Sequence, residues 1–430
     1  MIRNFATTTA IPKKGYKVVV IGGGSAGVSV AAQLGQSPLF ANKKDILIVE
    51  PKSEHFYQPF WTLVGGGLKP FEASVRPMQS VIPPSADWLK NKVHKVVPEN
   101  NLVLTDDGGE ISYEYLVVAP GISINYDKVE GLAEALGKDG VTTNYSADVV
   151  EKTAEFMKAF KGGNAIFTQP KTPIKCAGAP QKIMYLFEEH VRKSQGLREK
   201  TGVALYSGIG KIFGVDKYAN ALAEICQKRD IGVNLLHDLV AIDAKKKEAI
   251  FENLSPESNG TKVAVKYDFL HVTPPMGPLP FIKDSGLGNS DGWVDVDKHT
   301  TQHVTFKNVF SLGDASSLPT SKTAAAVASE SGVTSRNLLD VIDGKEPTAK
   351  YSGYTSCPLV TGNGKLILAE FNGYDLSPYE TFPFNQGVER SSMYFLKSNV
   401  MNKVYWDLML KGNWTGPSPY RPFLNPLNSN

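Results

Sequence analysis

The chain has 430 residues, 42% of them hydrophobic and 21% charged, with a formal net charge of +3. This length exceeds one ordinary hydrophobic core and predicts two or three globular domains. The balanced charge argues against a nucleic-acid-binding protein, and without a run of 18 apolar residues we expect no transmembrane helix. The three cysteines argue against a disulfide scaffold, and because the seven histidines form no ligand-spaced cluster with them we expect no metal site.

Residues 1–15 are rich in basic and hydroxyl side chains, and the sequence has no acidic residue before Asp45. This composition is typical of a mitochondrial transit peptide. A short disordered tail before the first strand would have the same composition. Both interpretations stay open at this point.

A dinucleotide-binding fingerprint follows, Gly22-x-Gly24-x-x-Gly27 between a predicted strand and a predicted helix. The first glycine makes the tight turn, the second lets the backbone approach a pyrophosphate, and the third allows close packing of helix on strand. The free N–H groups of the helix N-terminus attract the phosphates. Glu50 ends the next strand, where its carboxylate is expected to accept hydrogen bonds from the adenosine ribose.

Strands and helices alternate along most of the chain. The predicted strands are residues 16–21, 45–50, 115–119, 164–168 and 309–312, and the longer predicted helices are residues 146–160, 180–193 and 320–342. The order predicts an α/β fold with two Rossmann-like dinucleotide-binding domains, the second inserted in the first. The predicted first domain comprises residues 16–145 and 276–345, the inserted domain residues 146–275, and a C-terminal region residues 346–430.

Asp314 follows the apolar strand at residues 309–312 and a glycine, Gly313. In two-domain flavoproteins such a Gly-Asp pair bonds the ribityl chain, so the two motifs together predict FAD. Asp314 could instead serve only as a cap or turn residue. The start of the following helix can face the flavin and stabilise negative charge on it, and Lys322 either adds to that charge or is an ordinary solvated lysine.

The inserted domain lacks a second glycine fingerprint. After the strand at residues 164–168 the chain continues as Gln169-Pro170-Lys171-Thr172-Pro173, and prolines cannot donate N–H groups to a pyrophosphate. Gly208-x-Gly210 occurs later without the full spacing. We therefore expect no NAD(P)H site and a different electron donor.

Two of the three cysteines lie in chemically suggestive surroundings. Cys176 precedes a predicted helix and follows Lys175, which together favour a thiolate. Cys357 lies in a loop, and Cys226 lies on the buried face of a helical pattern and is interpreted as a core residue. Spacing allows three pairings; context favours Cys176 with Cys357, and two unrelated free thiols remain the alternative.

Residues 393–414 mix aromatic and apolar side chains with three lysines and a single acid, Asp407. Such a composition suits a helix lying in a membrane interface. A helix pair packed on the domain, or on a second subunit, would show the same amphipathic pattern.

Six segments resemble mitochondrial-type sulfide:quinone oxidoreductases, members of the pyridine nucleotide-disulfide reductase superfamily. The resemblance extends over residues 16–414, nearly the whole chain. The segments are residues 55–59 (HFYQP), 62–65 (TLVG), 173–182 (PIKCAGAPQK), 271–276 (HVTPPM), 320–327 (TSKTAAAV) and 354–360 (YTSCPLV).

The resemblance implies a redox pair, Cys176 and Cys357, bridged in the resting enzyme. Hydrosulfide would attack the bridge, leaving a persulfide on Cys357 and releasing Cys176 as a thiolate that attacks the flavin. A small acceptor such as glutathione, sulfite or coenzyme A would remove the sulfur, and ubiquinone would take the electrons. The implied location is the surface of the mitochondrial inner membrane, and a homodimer is left open.

The resemblance also implies the FAD-binding residues. They are Gly22, Gly24, Ser25, Ala26, Gly27, Glu50, Gln58, Val93, Asp314, Ala324, Ala325, Ala326 and Val327, to which Lys322 is added from the charge argument at the helix start. Relatives often have glycine where this chain has Ala26, and a small residue still fits there.

Three other functions use related sequence features. A type II NADH:quinone oxidoreductase would need a second fingerprint after the strand at residues 164–168, and a thiol–disulfide reductase would keep its redox cysteines close together, as in CxxC. A flavin-binding scaffold without turnover would be indifferent to replacement of either Cys176 or Cys357.

Overall fold

The computed structural model describes residues 15–41, 44–258 and 260–425. Apart from Gly15, the predicted targeting segment at residues 1–15 lies outside these described residues. The molecule is mixed α/β, with two sheets of largely parallel strands, as the alternating pattern predicted.

The first sheet has seven strands and is built around the strand that precedes the glycine turn. Gly15–Ile21 pairs in parallel with Ile46–Val49 on one side and with Glu110–Val118 on the other. Its valines, Val18, Val19 and Val20, point to opposite faces of the sheet and are all fully buried because both faces are covered. The seven strands are Gly15–Ile21, Ile46–Val49, Ala86–Leu89, Val93–Val97, Leu102–Thr105, Glu110–Val118 and Val309–Ser311.

The second sheet has five parallel strands, the arrangement expected of the inserted domain. In spatial order they are Val141–Thr142, Phe269–His271, Gly163–Gln169, Thr201–Ser207 and Ile231–Leu235. Val141–Thr142 falls within the stretch assigned to the first domain from sequence, yet it pairs here with Phe269–His271. The domain boundaries themselves stay a prediction.

Antiparallel pieces complete the fold. A hairpin of Tyr354–Gly362 and Lys365–Asn372 opens the C-terminal region. The other antiparallel strands are His237–Asp243, Glu248–Asn253 and Thr261–Lys266, the pair Ser123–Ile124 and Met276–Gly277, and the pair Glu54–Phe56 and Val75–Pro77.

Helices pack on the sheets, and the last of them lie in the C-terminal region. The α-helices are Ser25–Gly35, Trp61–Gly65, Met78–Val81, Leu132–Ala135, Val150–Ala159, Ala179–Lys193, Asp216–Lys228, Pro280–Asp284, Ala324–Ile342, Ser391–Phe395, Met401–Lys403 and Arg421–Leu424. In the described ranges, none of them is long and apolar enough to cross a membrane.

A continuous helical stretch, residues 391–411, follows the hairpin, and we call it together with the non-helical residues 412–416 the C-terminal strap. It contains two π-helical stretches, Leu396–Val400 and Val404–Leu408, and ends in a 3₁₀ turn, Met409–Lys411. Its buried face packs on the first helix, Ser25–Gly35, where Gln36 Nε2 donates to the Lys411 carbonyl at 2.9 Å. The predicted helix at residues 393–414 is therefore present, and one face of it is packed on the first domain.

Three predicted helix starts were wrong by one to four residues. The helix predicted at residues 146–160 begins at Val150. The helix predicted at residues 320–342 begins at Ala324, because Thr323 is extended and its hydroxyl accepts a hydrogen bond from the Ala326 N–H at 3.1 Å. The helix predicted to start at Pro180 begins at Ala179. The side-chain cap, which the periodicity of apolar residues does not report, decides the start at Ala324, whereas the helices that begin at Val150 and Ala179 have no side-chain cap.

Replacing Thr323 by alanine removes this cap and should lower the free energy of unfolding by about 1 kcal/mol. The change is measured by urea unfolding followed by circular dichroism. Thr323→Ser keeps the accepting oxygen and should unfold close to wild type. Equal losses in the two variants would contradict a capping role.

Candidate active site

A cavity of ≈ 1630 Å³ opens between the two parallel sheets and the C-terminal strap. It brings together the glycine turn, the start of the helix Ala324–Ile342, the turn around Cys176, the hairpin and the strap. The predicted site residues that line it are Gly22, Gly24, Ser25, Ala26, Glu50, Gln58, Val93, Cys176, Asp314, Lys322, Ala324, Ala325 and Val327. Gly27, Ala326 and Cys357 lie behind this lining and are packed against it.

The glycine turn has the geometry that its spacing predicts. Gly22 has a φ of +101°, which side chains rarely allow. A Cβ on Gly27 would lie 1.9 Å from the Gly22 carbonyl oxygen, so only glycine permits this helix to pack so closely. A Cβ on Gly24 would meet no atom within 4 Å, because that side of the turn faces the cavity.

Glu50 fixes the other side of the turn. Its Oε2 accepts from the Gly23 N–H at 2.8 Å, and its Oε1 accepts from the Lys52 N–H at 2.9 Å. A carboxylate that accepts two backbone N–H groups still has lone pairs for a ribose hydroxyl. The open face at Gly24, the helix N-terminus and Glu50 together fit the pyrophosphate and adenosine ribose of FAD.

Charged groups surround the place where the helix Ala324–Ile342 begins. Burial raises the pKa of Asp314 and lowers that of Lys322, and each group favours the charged form of the other. Lys322 Nζ also lies 3.9 Å from the centre of the Trp293 ring. Lys322 is therefore held in place beside Asp314, which disfavours the interpretation of it as an ordinary solvated lysine.

Cys176 lies in the turn between the strand Gly163–Gln169 and the helix Ala179–Lys193. Its φ is +51°, an unfavourable value for a residue with a side chain. The N–H of Cys176 donates to the Lys322 carbonyl at 2.8 Å, and its carbonyl accepts from the Tyr145 hydroxyl at 3.2 Å. These contacts hold the thiol at the cavity wall.

The prediction that Cys357 lies in a loop was wrong, because it pairs with Ala369 in the hairpin strand Tyr354–Gly362. From this strand, 181 residues later in the chain, it reaches the same place as Cys176. It is 3% exposed and lies close enough to Cys176 for each thiol to shift the pKa of the other. A Cβ on Gly178 would lie 2.5 Å from the Cys357 sulfur, so a glycine is needed where the hairpin meets the turn. In this structure both cysteines are free thiols.

A buried lysine, Lys182, faces the two thiols. Its Nζ donates to the Cys176 sulfur at 3.1 Å. The hydrogen bond from Cys357 and the charge of Lys182 hold the pKa of Cys176 well below its usual range, despite its burial. The pKa of Cys357 is raised by its hydrogen bond to Cys176 and by burial, so the thiolate is on Cys176.

Two more lysines add positive potential around the thiols. Burial and the charge of Lys182 lower the pKa of Lys397 to about 7, and burial lowers the pKa of Lys175 to about 8. Both line the cavity, Lys397 from the strap and Lys175 from the cysteine turn. Such a chamber favours small anions and thiolates.

Several residues of the site were not among the sequence predictions. Lys182, Lys397, His55 and Tyr405 are all buried at or beside the cavity. A signal existed for Lys182, since a lysine in the first turn of a largely apolar helix, six residues after a cysteine, is unusual. Cys226, interpreted from sequence as a core residue, is confirmed as buried.

Removing the charge beside Cys176 should raise the pKa of its thiol. In the reduced protein, Lys182→Met should slow alkylation of Cys176 at neutral pH roughly tenfold or more, because less of it is thiolate. Alkylation by iodoacetamide across pH, followed by mass spectrometry, gives the profile, which should move to higher pH. Lys193→Met removes an exposed lysine from the same helix and should leave the profile unchanged; an unmoved profile in Lys182→Met would contradict this assignment.

Comparisons with known proteins place this geometry in a family. Residues 16–157 match the family described as pyridine nucleotide-disulphide oxidoreductase. The chain is 48% identical over 406 residues to the mouse protein named mitochondrial sulfide:quinone oxidoreductase, covering 94% of this chain and 89% of that protein. It is also 48% identical over 415 residues to the protein of that name from Dictyostelium discoideum, covering 96% and 89%.

A solved structure agrees in fold. The sulfide:quinone oxidoreductase of Aquifex aeolicus superposes with a TM-score of 0.79 over 97% of this chain and 96% of that chain, at 18% identity. The fold, the glycine fingerprint and the two matches over at least 94% of this chain all indicate the same family. This chain belongs to the mitochondrial sulfide:quinone oxidoreductase family of FAD-dependent enzymes.

Proposed function

We propose that this chain oxidises hydrogen sulfide to sulfane sulfur and passes the two electrons to ubiquinone through FAD. The observation that carries the proposal is the meeting of two buried thiols, Cys176 and Cys357, beside Lys182 at the wall of the cavity that also contains the glycine turn. Close relatives over nearly the whole chain are named for this reaction.

The two thiols divide the sulfur chemistry. In the oxidised pair, hydrosulfide attacks the Cys357 sulfur, the S–S bond breaks, and Cys176 leaves as a thiolate that Lys182 stabilises. Cys357 then carries the persulfide in a buried place that excludes water. A small thiol or sulfite takes the outer sulfur, and the two cysteine sulfurs re-form their bond with the release of two electrons.

Bound FAD supplies the two-electron acceptor, which ubiquinone reoxidises. Gly24, Ser25, Glu50 and Asp314 are proposed to bind it, with Gln58 and Val93 on the cavity wall. The N-terminus of the helix Ala324–Ile342 and Lys322 favour negative charge at that end of the cavity. The acceptor of the sulfur is proposed to be glutathione, sulfite or coenzyme A, and the homodimer stays a prediction.

We propose further that the C-terminal region lies on the mitochondrial inner membrane. Large apolar side chains are exposed there: Phe395 and Leu408 on the strap, and Tyr420, Phe423 and Leu424 after it. Phe423 is 85% exposed, and Tyr420, Phe423 and Leu424 also line the cavity. This surface would let a lipophilic quinone pass from the bilayer to the cavity, and the relatives are named as mitochondrial.

Anaerobic titration with sulfide tests the reaction. Sulfide should bleach the flavin absorbance of wild type, and a short-chain quinone should restore it. Cys176→Ser and Cys357→Ser should stay oxidised, whereas Cys226→Ser, which changes a buried cysteine of the core, should behave as wild type. Bleaching by NADH but not by sulfide would refute the proposal and indicate a nicotinamide site.

Sedimentation with vesicles tests the membrane surface. Phe423→Asp should weaken binding to vesicles of mitochondrial lipid composition roughly ten- to a hundredfold, because one large apolar side chain contributes about 1.5–3 kcal/mol of transfer free energy. Val263→Asp changes an exposed apolar residue on the outer strand Thr261–Lys266 and should bind as wild type. Equal binding by the two variants would place the membrane contact elsewhere.

A further inference from the structure

The glycine turn is in contact with the C-terminal strap. Tyr405, on the π-helical stretch Val404–Leu408, is 2% exposed, and its hydroxyl lies 2.7 Å from Ser25 Oγ, 380 residues away in the chain. The same hydroxyl lies 2.6 Å from His55 Nε2. His55 Nδ1 lies 2.8 Å from the Gly23 carbonyl oxygen.

The chemistry of the partners gives each hydrogen bond a direction. The Gly23 carbonyl only accepts, so Nδ1 of His55 carries the hydrogen. Burial lowers the pKa of His55 to about 4, so the ring is neutral and its Nε2 accepts from the Tyr405 hydroxyl. Tyr405 has a single hydrogen to give, and Ser25 must therefore donate to the Tyr405 oxygen.

The strap is anchored on both sides of Tyr405. On the N-terminal side of Tyr405, Lys397 Nζ donates to the Pro59 carbonyl at 3.0 Å. After Tyr405, Gly412 packs so closely that a Cβ there would lie 3.0 Å from the Gln33 nitrogen on the first helix. Tyr405 is also packed on Tyr57, with ring centres 4.3 Å apart. The hydroxyl therefore meets the turn at a fixed place.

We propose that Tyr405 and His55 are positioning residues which hold the glycine turn in the shape that binds the FAD pyrophosphate, so that the C-terminal strap is a structural part of the cofactor site. The inference rests on the proposed FAD-dependent function. A turn with three glycines has many alternative conformations. Without the network, only a fraction of molecules has a competent turn, and the apparent dissociation constant rises by the inverse of that fraction.

The test uses the holoenzyme. A dilution series, in which flavin fluorescence reports released FAD, gives the dissociation constant for wild type, Tyr405→Phe, Ser25→Ala and the double variant. Tyr405→Phe keeps the ring and loses only the hydroxyl, and it should weaken FAD binding about tenfold. Tyr113→Phe is the control, since it removes a buried hydroxyl that has no hydrogen-bond partner among the described residues and should bind as wild type.

The double variant separates positioning from general stability. If Ser25 and Tyr405 act as one network, the dissociation constant of the double variant for FAD should be about equal to the larger of the two single-variant constants. The inference is overturned if Tyr405→Phe binds FAD within twofold of wild type, even with a lower melting temperature, or if the two effects multiply fully. Loss of FAD from wild type itself would instead overturn the proposed function.

Discussion

Lys182 carries its ammonium group into the protein interior, where the Cys176 sulfur lies 3.1 Å away. A buried cation without an anion beside it costs several kcal/mol, so this lysine favours a thiolate on Cys176. The two sulfurs in turn raise the pKa of Lys182 above its usual range, although burial opposes its charge. The rest of the site serves to bring a second sulfur and an electron acceptor to this pair while excluding water.

The second sulfur comes from a hairpin that charged residues outside it tie to the rest of the protein. Arg229 donates to the Thr361 carbonyl and lies 2.9 Å from the Glu389 carboxylate, while Glu188 of the inserted domain approaches the same guanidinium. This network joins the inserted domain to the hairpin that carries Cys357. Because a buried charged network is costly to break, it stabilises the position of the hairpin that brings Cys357 to Cys176.

The C-terminal strap faces two ways. Its outer face exposes Phe395 and Leu408, and its inner face places Lys397 near the thiols and Tyr405 at the glycine turn. One short segment therefore links the proposed membrane surface, the sulfur chemistry and the cofactor turn. π-Helical stretches such as Val404–Leu408 change which side chains face inward, and they are frequent at functional sites.

Many secondary-structure elements and motifs of this protein could be predicted from its sequence, because interactions between neighbouring residues determine them. The strand, the glycine turn, the helix and Glu50 follow from backbone sterics and the period of apolar residues, which act over a few residues. The position of Cys176 just before a helix could be predicted in the same way. These signals sufficed for the α/β class and the FAD fingerprint, and the resemblance of six segments indicated the family.

Tertiary structure alone decided how the pieces meet. Cys176 and Cys357 are 181 residues apart, and Ser25 and Tyr405 are 380 apart. Spacing left three cysteine pairings open and carried no sign of the Tyr405 network, because such contacts arise from packing of whole elements rather than from neighbouring residues. Lys397 was missed for the same reason, because a lysine is exposed by default and only the surrounding fold shows that this one is enclosed near the thiols.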